Sequence, residues 1–145
     1  MPGAGISCRR VKTALAALGL TPGGLTAILI THEHSDHIGG IADLRNISEN
    51  GVAIHSEDAE CLTSASKNLS TYIGEAVEMP SAEKLLKEGD RLKVGKMTLD
   101  VIHTPGHTLG GICIIVADGE EQILISGDTL FARSIGRSDL PGGNE

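Results

Sequence analysis

The chain has 145 residues, 40% of them hydrophobic and 1% aromatic, with a formal net charge of -7 at pH 7. That length supports a single domain over residues 1–145 with an aliphatic core of its own. An acidic surface with only Tyr72 and Phe131 as aromatic platforms argues against nucleic acid as a partner, and no stretch is apolar enough over membrane length to argue for a bilayer.

Val11, Leu15 and Leu18 fall on one face at helical spacing, and Gly19 and Pro22 end that helix. Leu25–Ile30 is a short apolar run that reads as a strand buried on both faces. Ile38, Ile41 and Leu44 predict a second helix after it. Val52–His55 predicts another strand, and Ser56 is placed to cap a third helix with Glu57 and Asp58 in its first turn. From Thr63 to Lys84 the pattern is polar and carries no clear period. Arg91–Val94 and Met97–Val101 alternate across Gly95 as a hairpin would, and Ile112–Val116 and Ile123–Ile125 flank the turn signal Asp118-Gly119. Helices and short strands come first and antiparallel strands later, so the expected class is mixed α/β. The chain opens on a helix and closes on the loop Leu140–Glu145, which reads as a piece of a larger domain.

Three cysteines, Cys8, Cys61 and Cys113, are odd in number and widely spaced, so neither a disulfide framework nor a CxxC metal site is expected. They read instead as small apolar residues of the interior. Arg9-Arg10 before Ala14–Leu18 has the outline of a twin-arginine signal, but Lys12 interrupts it and no cleavage site follows. The expected compartment is the cytoplasm.

The run Thr31-His32-Glu33-His34-Ser35-Asp36-His37 places four potential metal ligands directly after a buried strand. In extended backbone, residues two apart point the same way, so His32 and His34 can grip one ion together. A turn at Ser35 would let Asp36 and His37 face a second. His107, in Thr104-Pro105-Gly106-His107-Thr108, and Asp128, in Ser126-Gly127-Asp128, each follow the end of a later predicted strand. Imidazole and carboxylate suit zinc, and iron or manganese is chemically admissible. His55 and His103 each stand alone and read as structural or as supports behind the metal ligands, ahead of ligation itself.

This series, HxHxDH then TPGHT then SGDTLF, resembles that of metallo-β-lactamase-fold hydrolases. Gly127–Phe131 with Ile135–Gly143 is similar, more narrowly, to the hydroxyacylglutathione hydrolase (glyoxalase II)-like branch. The resemblance implies an αββα sandwich, incomplete here at both ends, with His32, His34 and His107 on a first metal. It implies Asp36 and His37 on a second, with Asp128 bridging. The family also has strands before the first helix and a later histidine on the second metal; no histidine follows His107 here. Arg137 and Asp139 are expected to pair and structure their loop.

Two zinc ions about 3.5–4 Å apart would acidify a bridging water to attack an acyl carbon, with Asp36 orienting it and no Ser or Cys nucleophile. The resemblance favours a small-molecule thioester such as an acyl-glutathione as substrate. A persulfide dioxygenase with one iron shares a similar Gly-Arg-x-Asp loop and is the alternative. β-Lactam hydrolysis is disfavoured, because Asp128 stands where several lactamases carry cysteine. A non-catalytic metal-binding remnant is the reading of another class.

Overall fold

A computed structural model describes residues 8–144, the side chains of Cys8 and Pro22 excepted; the expected burial of the Cys8 thiol therefore falls outside the described part. Helix α1 spans Cys8–Ala17 with Val11 and Leu15 half-buried as the spacing predicts, but Leu18 lies past its end and is 74% exposed, and Gly19 at φ 72 lets the chain leave in the left-handed region. The run from Leu25 yields less strand than expected. Only β1, Ile28–Leu29, forms a ladder, and both residues are half-buried. The flanking backbone is nevertheless tied along the same side, through Glu49 N–H to Leu25 O at 2.9 Å and Ile30 N–H to Ala53 O at 2.9 Å. The predicted second helix is two short ones, α2 over Ser35–Ile38 and α3 over Ile41–Arg45. Gly39-Gly40 separates them, two glycines each costing helix about 1 kcal/mol relative to alanine.

Strand β2, Val52–His55, is buried throughout. The helix expected after it is a 3-10 run over Ser56–Thr63, and its cap is His55 rather than Ser56: the His55 ring accepts the Glu57 N–H at 3.3 Å. The unpatterned stretch contains a second 3-10 turn, Ser70–Ile73, and then β3, Lys84–Leu86. Both hairpins form as predicted, β4 (Arg91–Val94) with β5 (Met97–His103) and β6 (Ile112–Asp118) with β7 (Glu121–Ile125). Short strands β8 (Leu130–Phe131) and β9 (Ser134–Ile135) follow.

Strands β1-β2-β3 make a parallel sheet, and β4-β5-β6-β7 an antiparallel one. The period of two along β2 decides the layers. Val52 and Ile54 face α2 and α3 in a cluster with Ile30, Ile38, Ile41 and Leu62. Ala53 faces the other way, into a cluster with Leu86, Val101, Ile112 and Ile114 between the sheets. The described residues thus form helices, sheet and sheet in order, a mixed α/β sandwich that is part of the expected αββα arrangement.

A polar hub organises the segment that carried no period. Asn68, fully buried, donates to Cys61 O at 3.0 Å and Val77 O at 2.7 Å and accepts the Ser70 N–H at 3.1 Å. Ser70 Oγ donates to Ala65 O at 3.1 Å and accepts the Val77 N–H at 2.9 Å. This network holds Leu69 at φ 63, the one non-glycine in the left-handed region among the described residues. Asn68→Ala should strand three backbone groups, one buried and two part-buried, and lower unfolding stability by about 2–4 kcal/mol, read from urea denaturation. A loss under about 1 kcal/mol would mean the hub is not what fixes this segment.

Candidate metal centre

The ligand run leaves β1 in extended backbone, and His34 at φ -60, ψ 143 is the last residue before α2. His32 and His34 accordingly project together, and α2 brings the His37 ring to 4.0 Å from that of His32, centroid to centroid. His107 arrives four residues past β5 and Asp128 three past β7, both on loops from the second sheet. Gly127 makes the last approach possible, since at φ 51 a Cβ there would lie 2.6 Å from Thr31 Oγ1.

The rings of His32, His34 and His107 lie 4.5–5.0 Å apart, centroid to centroid. Each offers a ligand atom within 4.8 Å of the others. The Nε2 atoms of all three are buried and have no hydrogen-bond partner in the protein. A stranded buried polar atom costs about 1–3 kcal/mol, and three converging on one point fit a bound cation. The tautomer agrees: His107 Nδ1 donates to Arg137 O at 2.8 Å, leaving the Nε2 lone pair for a metal. Burial, then the neighbouring rings of His37, His34 and His107, pushes His32 down to about 2. Burial likewise lowers His34. Both are neutral at pH 7, the form that ligates.

A second group comprises His32, His37 and Asp128, again with ligand atoms within 4.8 Å. Asp128 Oδ1 lies 3.4 Å from His37 Nε2 and Oδ2 lies 3.7 Å from His107 Nε2, so the carboxylate presents one oxygen to each group. Asp36 stands at the rim, its side chain 50% exposed and Oδ2 3.7 Å from His37 Nε2. It falls outside both close groups and opens instead on a cavity of about 520 Å³ shared with His34, His107 and Asp128. Arg137 and Asp139 pair as expected, in a bidentate bridge of 2.7 Å on each arm, and the same loop supplies the carbonyl that orients His107.

Several supporting residues escaped the sequence reading. Asp58, assigned there to a helix dipole, is 1% exposed and accepts Thr108 Oγ1–H at 2.8 Å and Gly110 N–H at 2.5 Å. It anchors the loop that carries His107 from 50 residues away in sequence, a distance no local pattern spans. A Cβ at Gly110 would sit 2.5 Å from that carboxylate, so the loop can dock only with glycine there. Beside Asp58 lies Glu33, 2% exposed, whose carboxyl is pushed up by burial and then by Asp58. His55 and His103 are not isolated: their rings stack at 4.0 Å between the sheets, and His103 Nε2 donates to Leu109 O at 2.8 Å. Cys113 is buried as expected, whereas Cys61 is half-buried, its thiol raised to about 12 chiefly by burial. Neither is placed as a ligand.

A sheet-on-sheet sandwich with histidines and a carboxylate gathered at one edge from three loops defines a metallo-hydrolase class of site. The sequence pattern of the metallo-beta-lactamase superfamily matches residues 2–145, and the chain belongs to that superfamily. The probable metallo-hydrolase YqgX of Bacillus subtilis (strain 168) is 39% identical over 137 residues, covering 94% of this chain and 63% of that protein. The hydroxyacylglutathione hydrolase of Pseudomonas entomophila (strain L48) is 36% identical over 124 residues, or 85% of this chain and 40% of the relative. Among solved structures, BLEG-1 B3 metallo-beta-lactamase superposes with a TM-score of 0.81 at 36% identity, covering 94% of this chain and 64% of that one. TTHA1623 in a di-iron-bound form superposes at 0.76 with 32% identity, covering 97% and 66%. The chain spans about six tenths of the length of curated relatives it matches, 63%, 58% and 56% of three of them.

Asp58→Asn keeps the shape but turns an amide donor toward two donors. It should weaken cation binding at the three-histidine site by about 10–100-fold, measured by competition against a chelating dye with the far-UV spectrum unchanged. Unaltered affinity would show that the His107 loop holds itself.

Proposed function

We propose that the protein is a two-metal hydrolase of activated acyl groups acting on a thioester of the acyl-glutathione class, with zinc as the resident ion. The observation that carries this reading is the set of three buried, unpartnered imidazole nitrogens beside an Asp128 carboxylate that faces both ligand groups. The thioester is supported by relatives named hydroxyacylglutathione hydrolase, 36% and 34% identical.

His32, His34 and His107 would hold the first cation, and His37 with Asp128 and Asp36 the second. Such cations supply a water acidified toward neutral pH and a polarised scissile carbonyl. Asp36, facing the cavity, accepts the hydrogen bond that orients the attacking water and can take its proton at Oδ. Asp128 holds the two ligand groups in register. The protein needs no nucleophile of its own; the Cys61 thiol, raised to about 12, is un-ionised at neutral pH. Among the described residues no helix is long and apolar enough to cross a membrane, and Cys61 and Cys113 are free thiols, which fits action in the cytoplasm.

The first group is complete within itself, whereas the second has only His37 and Asp128 of its own within 4.8 Å. His107→Ala should therefore abolish the tighter binding step in a metal titration, and His37→Ala should spare it. Two equally tight steps in the unmodified chain would contradict this order.

The metal-replete protein should hydrolyse an acyl-glutathione, and Asp36→Asn should lower kcat by about 100-fold or more with metal supplied in excess. Oxygen uptake with glutathione persulfide and no thioester cleavage would replace this reading with an iron dioxygenase. Faster turnover of a β-lactam would replace the substrate while keeping the hydrolase.

A further inference from the structure

The cavity over the candidate centre has a wall that the chemistry of water attack does not use. Leu69, Tyr72, Ile73, Leu140 and Pro141 form it, in the same cavity as His34, Asp36, His107 and Asp128. Tyr72 is 74% and Ile73 61% exposed, two large apolar side chains held out toward solvent. They are not loosely held. The 3-10 turn that presents them starts from Leu69 in the left-handed region, fixed by the buried Asn68–Ser70 network. A strained residue held by several hydrogen bonds next to a reaction site marks a built surface.

The charges lining the cavity are equally informative. Asp36 and Asp128 line it, and Arg137 is its single Arg or Lys side chain among the described residues. Both arms of that guanidinium are taken by Asp139 at 2.7 Å. An anionic group laid on the wall itself, away from the metal set, would meet Leu69, Tyr72, Ile73, Leu140 and Pro141 and no unpaired Arg or Lys among the lining residues. The volume, about 520 Å³, lies in the range of small-molecule pockets, about 300–1,000 Å³.

We propose that this wall is the acyl subsite, and that the substrate carries an uncharged, apolar acyl group of about four to six carbons, its thiol carrier lying outside the wall. The proposal rests on the acyl-hydrolase reading above and names the acyl class that reading leaves open.

The test is a chain-length series of S-acyl-glutathiones, acetyl, butyryl, hexanoyl and succinyl, on the metal-replete protein. Each methylene that reaches the wall should raise kcat/KM by about fourfold, giving at least about thirtyfold from acetyl to hexanoyl. Succinyl, as long as butyryl but ending in a carboxylate, should fall at least about tenfold below butyryl. Ile73→Asp should bring the hexanoyl-to-acetyl ratio close to one. A flat series, or a preference for succinyl, overturns the subsite and leaves the thioesterase reading standing. If glutathione thioesters fail but p-nitrophenyl hexanoate outruns the acetate by the same factor, the carrier is wrong and the subsite stands. Binding gives a readout independent of turnover. The chain has one tyrosine and no tryptophan, so tyrosine emission reports from this wall. S-hexylglutathione should change it at a concentration at least about tenfold below S-methylglutathione. Equal responses, or none, overturn the proposal even if no substrate is cleaved. Emission that varies with protein concentration instead of ligand assigns the wall to a second copy of the chain, and also overturns it.

Discussion

Burying a ring nitrogen without a partner is unfavourable, and this fold does it at His32, His34 and His107 within one small volume. Hydrophobic collapse alone would not gather them, because each arrives with a polar atom that water would satisfy better. The rest of the architecture can be understood as what is required to hold them there. β1 delivers two from the parallel sheet, and the loop after β5 delivers the third from the antiparallel sheet. The site therefore exists only while the two sheets stay packed through Ala53, Leu86, Val101, Ile112 and Ile114.

Packing is non-directional, and the seam between the sheets is also pinned by hydrogen bonds. Ile112 N–H donates to Thr31 O at 2.9 Å, tying the start of β6 to the residue before His32. Thr104 and Thr129 hydroxyls meet at 3.0 Å, joining the loops that carry His107 and Asp128. Asp58 and the Arg137 carbonyl grip the His107 loop from opposite sides. Three short loops are thus cross-tied by hydrogen bonds, as metal ligands require if the ion is not to pull them into place at its own cost.

What was legible in the sequence was what local chemistry decides. Gly95 at φ 59 and Gly119 at φ 62 turn their hairpins as the adjacent alternation predicts. His32, His34 and His37 are readable because their spacing is short and their residue types have few other uses together. His107 and Asp128 were found through the strand ends that precede them. The rest depends on tertiary partners. β3 is three residues long and pairs with β2 across an unpatterned loop. The continuous helix through Ile38, Ile41 and Leu44 had the right face, but Gly39-Gly40 broke it. Asp58 looked like an ordinary first-turn acid until its donors came from Thr108 and Gly110. His55 and His103 looked solitary because their stacking follows only from facing registers on β2 and β5.

The wall at Leu69–Ile73 shares one cavity with His34 and Asp36, so the proposed acyl subsite and the proposed metal set are adjacent but built by different means. The ligands rest on strands, and the wall rests on a buried polar hub. Their separate supports allow substrate preference to change while the metal set does not, a division seen wherever loops on a rigid scaffold carry specificity. The central claim is the convergence of three imidazoles on one cation. X-ray absorption of the protein loaded with one equivalent of zinc tests it directly: scattering from three imidazoles with nitrogens at about 2.0–2.1 Å is predicted. A first shell containing sulfur, or showing fewer than two imidazoles, would contradict it.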